Sequence, residues 1–265
     1  MILNGKRGII FGALDQQSIA WKVAERAHVE GASFVLTNAP IAIRMGNINE
    51  LATATGAAII AADVTKTEDI ENLIAQSMQV LGGKLDFVLH SVGMSLNIRK
   101  ERSYTDLDYE HMHKTMDISA MSFHRVLQTC LKQDAINEWG SVVTLSYIAA
   151  QRVFPDYNEM ADAKALLESI TRSFGYHYGK AKKVRVNSIS QSPTRTRAGG
   201  GVKGFDGFFD YAEKMSPLGN ASADDCAKYC ISLFSDYTRM VTMQNLFHDG
   251  GFSFTGVSNE VVNGI

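Results

Sequence analysis

In the stretch PDYNEMADAKALLES, Tyr157 precedes Lys164 with six residues between them. A phenol can donate a hydrogen bond to an oxygen that is gaining negative charge, and an ammonium can favour that charge. Around Lys164, the residues Ala161, Ala163, Ala165, Leu166, Leu167 and Glu168 are strong helix formers. At roughly 100° per residue, seven steps turn about 700°, about 20° short of two turns. The spacing therefore predicts Tyr157 on the same helix face as Lys164, with both groups serving one site. Taken singly, Lys164 reads equally as a solvated helix lysine.

Such a pair needs a frame. Short β-rich runs at 7–11, 33–37, 58–61, 87–91, 141–146, 184–189 and 245–248 alternate with helical patterns. The helical patterns fall at 18–30, 41–55, 67–81, 117–132, 156–178 and 223–235. That alternation implies βαβ units with right-handed crossovers and a buried parallel sheet. No linker or repeat interrupts it, so the expected architecture is α/β: one Rossmann-like, doubly wound domain over 1–265. The segment 194–215 breaks the rhythm. Its glycines and phenylalanines predict a flap over an apolar ligand.

The loops at the strand ends carry the other candidate groups. Strand GIIF enters Gly12-Ala-Leu-Asp-Gln-Gln-Ser18-Ile19-Ala20, and a helix follows. A glycine permits the tight turn, and a helix N-terminus offers free N–H groups to a pyrophosphate. Ser18 is placed to act as N-cap and phosphate donor. With one glycine the loop reads equally as a plain capped βα turn. Asp63-Val64 follows the third strand, where the carboxylate can accept from an adenine amine or cap the next helix. His90-Ser91-Val92-Gly93 closes the fourth, and Gly93 lets backbone approach a ribose or nicotinamide. After the second strand, Thr37-Asn38-Ala39-Pro40 offers no acid for a ribose 2′-hydroxyl, and Arg44 nearby favours a 2′-phosphate. Local chemistry leaves the choice of dinucleotide open.

Composition removes several classes. The chain is 45% hydrophobic and 20% charged with a net charge of −2, an ordinary soluble balance without a nucleic-acid tract. No stretch approaches a membrane span of roughly 18 apolar residues. MILNGKRGIIFG enters a strand directly without a signal-peptide core, which predicts a cytoplasmic protein. Cys130, Cys226 and Cys230 are unclustered and expected to be buried free thiols. His111 and His113 suggest no metal site, and none is expected elsewhere. The 180–183 run reads as a solvated loop.

Together the motifs GALDQQSIA, HSVG at 90–93, DISAMSF at 117–123, LSYIAAQRVFPDYNEMADAKALLES at 145–169, VRVNSISQSPTRT at 184–196 and HDGGF at 248–252 resemble a known group. They are similar to the short-chain dehydrogenase/reductases, and within them the enoyl-acyl-carrier-protein reductases of bacterial type II fatty-acid synthesis. The resemblance spans essentially the whole chain. Common ketone reductases place a catalytic tyrosine four residues before the lysine; here that position is Met160, and their catalytic serine is matched by Tyr147. Gln16 and Ser18 stand where the second and third loop glycines would be.

The resemblance implies reduction of a trans-2 enoyl thioester by NADH, with NADPH as the alternative, and an acyl carrier protein as partner. It also implies a homotetramer. As cofactor contacts it implies Gly12, Ser18, Ile19, Asp63, Val64, Ser91, Val92, Gly93, Lys164, Thr194, Arg195 and Thr196. Ser95, Tyr147 and Tyr157 are implied at the substrate, and Tyr147, Tyr157 and Lys164 in catalysis. Tyr147 reads equally as a packing residue. Lys203 matches one basic position near the portal, whereas Asp206 and Gly207 fall where relatives can be basic. Phe205, Phe208 and Phe209 would line an acyl channel or anchor the flap.

A physical reason links the displaced tyrosine to an enoyl substrate. Hydride goes to the β-carbon, and charge appears on a carbonyl oxygen three bonds away. Three residues along a helix move an attachment point by about 4.5 Å, the right scale. Two other readings remain: a short-chain reductase of another activated alkene or carbonyl, and a non-catalytic nucleotide-binding protein of the same fold.

Overall fold

The computed structural model describes residues 1–197 and 204–264. Its strands are β1 (Arg7–Phe11), β2 (Ser33–Thr37), β3 (Ala58–Ile59), β4 (Leu85–His90), β5 (Ile136–Ser146), β6 (Arg185–Gln191) and β7 (Asn245–His248). They form one sheet in the order β3-β2-β1-β4-β5-β6-β7, and every pairing is parallel. Parallel neighbours need crossovers, and the crossover helices cover both faces.

The alternation of side chains along β1 sorts the core. Ile9 pairs in register with Val35 and Val88 and lies under α4 (Thr67–Leu81), α7 (Ser122–Lys132) and α8 (Asn158–Lys182). Ile10 faces the other way, toward α1 (Ile19–Val29), α3 (Ile48–Thr55) and α10 (Ala223–Phe234). Each buried Ile, Leu or Phe in these layers contributes about 1.5–3 kcal/mol. The chain builds outward from β1 to β3, then returns to place β4 on β1's other side. Phe11 and His90 end side by side there, which opens a crevice at the carboxyl ends of the strands.

Several elements differ from expectation for local reasons. The helix expected over 41–55 is two, α2 (Pro40–Met45) and α3. A Cβ at Gly46 would lie 2.5 Å from the Leu14 carbonyl, and Asn47 N donates to that oxygen at 2.8 Å. The break is where this segment docks on the first loop. The ladder beyond β3 continues as single bonds, Ile60 N to Leu36 O and Ala62 N to Asn38 O. The strand expected at 87–91 runs Leu85–His90, leaving Ser91 beyond its end.

A short α5 (Leu96–Arg99) follows β4, and α6 (Tyr109–Met116) is capped by Asp108, which accepts from Glu110 N and His111 N. The helix expected at 117 is thus already under way, and it passes through a π-turn at Asp117–Met121 before α7. Part of the expected flap is α9 (Phe205–Met215), and α11 (Asn259–Asn263) closes the chain. The 180–183 run is mostly the end of α8, which stops at Lys183 with φ +59°. Cys130, Cys226 and Cys230 are free and buried. Among the described residues no helix is long and apolar enough to cross a membrane.

Candidate active site

Main chain dominates one bank of the crevice. Gly12 has φ +96°, and a Cβ on it would lie 2.0 Å from the Ser91 carbonyl. The exits of β1 and β4 therefore pass with no room for a side chain. Ser18 does not cap α1 as expected. Its hydroxyl donates to Asp15 O at 2.7 Å and accepts from Leu14 N at 3.3 Å, so it is spent in shaping its own loop. The first-turn amides of α1, at Ile19 and Ala20, have no side-chain cap and suit an anion.

Asp63 is not a helix cap either, since Lys66 precedes α4. Its Oδ1 accepts from the Thr65 amide and hydroxyl at 3.0 and 2.7 Å. Desolvation pushes the carboxyl up, but the Thr65 bonds, with Lys66 and Arg125, hold it below its usual range. Oδ2 keeps no partner among the described residues and can accept from an adenine amine. Val64 packs on the core, as does Val92. At Gly93 the three atoms nearest to a Cβ would be Lys164 Nζ, Met160 Cε and Ser119 Oγ, each at 3.9 Å. The backbone there is open to a ligand beside the ammonium. These features fit a dinucleotide: a bare strand exit, an uncapped helix start and an open glycine.

Side chains build the opposite bank. Lys164 is buried in α8 and donates to the Leu145 carbonyl at 2.8 Å, leaving donor capacity unspent. Burial pushes its pKa down to about 8, against the upward pull of Glu168. Glu168, one turn further on and buried, accepts from Ser146 Oγ at 2.7 Å and Gln151 Nε2 at 3.0 Å. His90 bonds Ser122 and Thr144. Burial, then the Lys164 charge, pushes it down to about 3, so it is a neutral support.

Tyr157 is not on the regular helix. It ends a 3₁₀ turn at Pro155–Tyr157, and Asn158 then takes φ +43°, ψ −141° before α8 proceeds. The two-turn count and the 4.5 Å offset therefore do not describe its placement. It packs instead against Ile98, Met160 and Ala163, and its ring lies 5.0 Å from that of Tyr147. The Tyr147 hydroxyl is buried with no partner. Burial pushes both phenols above their ordinary pKa, helped at Tyr147 by Tyr157 and Asp249. Both are neutral donors at physiological pH. Two phenols in contact beside a buried ammonium can stabilise an oxyanion.

The cover over this bank divides in two. Phe208 of α9 packs on Phe154 at 4.6 Å and on Tyr147 at 6.3 Å. Phe205 and Phe209 pair with each other at 6.1 Å, with the Arg195 guanidinium 4.3 Å above Phe209. Arg195 also pairs with Asp206 and Asp210, and Arg197 reaches Asp15 at 3.7 Å. Thr196, Arg195 and Gln17 help line a cleft of about 330 Å³ between the first loop and α9. Thr194 Oγ donates to Ser192 O at 2.9 Å. Lys203 lies outside the described residues. Among the described residues no cluster suited to a metal ion occurs.

Ser95 follows β4 and spends its side chain within the fold. It caps α5 by accepting from Ile98 N at 3.0 Å and donates to Glu159 Oε1 at 2.6 Å, which commits its side chain to structure.

A family model described as enoyl-(acyl carrier protein) reductase matches residues 12–253. The chain belongs to that family. Enoyl-[acyl-carrier-protein] reductase [NADH] 2 of Rhizobium meliloti is 32% identical, covering 97% of this chain and 94% of its own length. The Aquifex aeolicus FabI is also 32% identical, with the same coverage. Among solved structures, the FabI–NADH complex of Alistipes finegoldii superposes with a TM-score of 0.97 at 62% identity, covering 98% of this chain and 92% of its own.

For an enoyl reductase of this family, the residues that sequence reasoning passed over are the buried carboxylates of α8. Glu159 is fully buried and accepts on Oε1 from Ser95, Asn97 at 3.3 Å and Thr115 at 2.9 Å. Glu168 sits one turn beyond Lys164. The available signal was their phase: both share the buried stripe with Met160, Ala163, Lys164 and Leu167. A charged residue in such a stripe must be answered by partners.

Proposed function

We propose that this chain reduces the trans-2 double bond of enoyl-acyl-carrier-protein thioesters with NADH during fatty-acid elongation. The observation that carries the reading is the contact of Tyr147 and Tyr157 at the end of β5, beside buried Lys164 and open Gly93. Reduced nicotinamide, when bound, supplies the hydride. Tyr157 donates its hydroxyl proton in a hydrogen bond to the thioester oxygen as enolate charge develops. A positioned donor of this kind is worth about 3–4 kcal/mol. The raised pKa keeps the phenol protonated for that task. Tyr147, with its unpartnered hydroxyl, offers a second donor or walls the acyl pocket with Phe208.

Lys164 holds the nicotinamide ribose with the donor capacity left after Leu145, and its charge favours the enolate. Gly12 and the amides at Ile19 and Ala20 take the pyrophosphate, with the Ser18 hydroxyl fixing the loop. Asp63 Oδ2 accepts from the adenine amine beside Val64, and Ser91, Val92 and Gly93 line the ribose and nicotinamide. Thr194, Arg195 and Thr196, with α9, cover the cofactor. The NADH-bound relative supports NADH over NADPH. Ser95 contributes through the cap it forms on α5.

The protein is read as a cytoplasmic homotetramer. Exposed Tyr109 and Met121 on the α6–α7 run and Tyr176 on α8 supply apolar surface suited to such contacts. Light scattering at micromolar concentration checks the assembly. The function itself is tested by following cofactor absorbance with crotonyl thioester and, separately, acetoacetyl thioester, each with NADH and NADPH. NADH oxidation with the crotonyl substrate is expected; oxidation with the keto substrate alone would overturn the assignment.

A further inference from the structure

We propose that Arg125, braced by Asp117, is a positioning residue that sets the adenine end of the cofactor site by holding the loop after β3. Arg125 Nη1 donates to the Val64 carbonyl at 2.9 Å, and Nη2 pairs with Asp117 Oδ1. One guanidinium thus ties the α6–α7 helical run to the loop that carries Asp63. The planar fork of arginine suits this double duty, since two fixed N–H vectors reach two acceptors at once. The proposal rests on the dinucleotide reading of the crevice.

The π-turn explains how the pair meets. In regular helix, eight steps from Asp117 to Arg125 turn about 800°, leaving the two about 80° apart around the axis. A π-turn carries an extra residue, so the pair behaves as roughly seven steps, about 20° short of two turns. The turn spans Asp117–Met121, between the two partners. It also points Ser119 Oγ at Met94, accepting from its amide at 3.0 Å, so the same irregularity steadies the loop after β4. Val64 O is otherwise a loop carbonyl between Asp63, which has a free Oδ2, and Thr65, which holds Oδ1. Freed from Arg125, that loop keeps its Thr65 turn and the bond from Asp63 N to Asp69 but loses the anchor that fixes it to the α6–α7 run. The Arg125 charge also helps keep Asp63 ionised, and an ionised carboxylate is the better acceptor for an amine.

The test separates the two ends of the cofactor by calorimetry on the whole protein, without turnover. NADH, ADP-ribose and reduced nicotinamide mononucleotide, which lacks the adenosine, are titrated into the unsubstituted protein and Arg125→Met. The expected result is a roughly tenfold weaker affinity for NADH and ADP-ribose, with the mononucleotide unchanged. Arg125→Lys should recover about half of that loss, on a logarithmic scale. Asp117→Asn, which leaves Arg125 in place but unbraced, should lose about threefold in the same ligand pattern and covers the case in which Arg125→Met does not fold. Equal losses for all three ligands would reduce the pair to general support, and unchanged NADH affinity in both variants would also overturn the proposal. Failure of the unsubstituted protein to bind NADH would instead fell the functional reading beneath it.

Discussion

The two banks of the crevice are made of different material. Along β1 and β4 the groups on offer are main-chain: a bare strand exit at Gly12, uncapped amides at the start of α1, and open backbone at Gly93. Along β5 and α8 they are side chains, with Tyr147, Tyr157 and Lys164 packed or buried beside one another and Glu168 behind. Backbone recognition works by the absence of atoms, so its weakness is size. Side-chain chemistry works by the placement of a hydroxyl or a charge, so its weakness is an isosteric change.

The largest expected effect follows from that asymmetry. Tyr157→Phe keeps the ring contact with Tyr147 and removes one donor. We expect kcat/KM for crotonyl thioester to fall about 100- to 1000-fold, as for loss of an oxyanion donor. NADH affinity, read by nicotinamide fluorescence, should stay within about twofold, because the other bank is untouched. A parallel loss of NADH affinity would erase the distinction between the banks.

Next in size is a change beneath the catalytic side. Glu159→Ala removes an acceptor shared by Ser95, Asn97 and Thr115; Asn97 keeps Asp108 O and Thr115 can donate to His111 O, so the buried Ser95 hydroxyl is the donor left stranded. A stranded buried donor costs about 1–3 kcal/mol, so a net loss of about 2 kcal/mol is expected. Thermal melting should fall by roughly 4–8 °C. A melt within about 1 °C of the unsubstituted protein would mean that water takes over the Ser95 donor.

Gly12→Ala probes the main-chain bank. Its Cβ would stand 2.0 Å from the Ser91 carbonyl at φ +96°. Strain of that kind costs about 1–3 kcal/mol, so NADH affinity should weaken about 5- to 150-fold. At saturating NADH, kcat should remain near its original value. A variant with intact NADH affinity and reduced kcat would reverse the roles assigned to the two banks.

How much of this was readable in the chain also divides by bank. Strand-loop-helix alternation and the positions of Gly12 and Gly93 are local signals, and the sheet places them where such signals put them. The Tyr157–Lys164 pair was visible as a pair, but its geometry was not. The break at Asn158 depends on a positive φ at an asparagine whose amide donates to Arg102 O, a residue far away in sequence. The split between α2 and α3 likewise depends on the Leu14 carbonyl, which only the folded chain brings to Gly46. Ser95 was implied at the substrate by the family resemblance, and periodicity gave no sign that its hydroxyl is claimed by Glu159. Tertiary partners decided each of these, and tertiary partners are what periodicity does not carry.

The smallest effect is the most specific to the side-chain bank, because it moves a titration and leaves contacts in place. Lys164 sits at about 8 where 10.5 is ordinary, lowered by burial and partly restored by Glu168. The ammonium form is the one that favours enolate charge, so kcat/KM should fall as pH rises through about 8. Folding stability should respond in the opposite sense. Below about 8 the lysine is charged in both folded and unfolded chains, and the burial penalty is fully present. Between about 8 and 10.5 the unfolded chain holds the extra proton, so the penalty lifts and the lysine's contribution to stability rises with pH. Glu168→Gln removes the anion that raises Lys164, so the alkaline fall in kcat/KM should begin at lower pH. The variant keeps an amide oxygen for Ser146, and the Gln151 amide can turn to accept from the new NH₂ group, so the pocket's shape is largely retained. Rate profiles from pH 6 to 10, with melts of the cofactor-free protein over the same range, separate the two signs. An inflection that stays in place in Glu168→Gln would show that Lys164 is governed by burial alone, and that the electrostatic character given to this bank belongs only to the phenols.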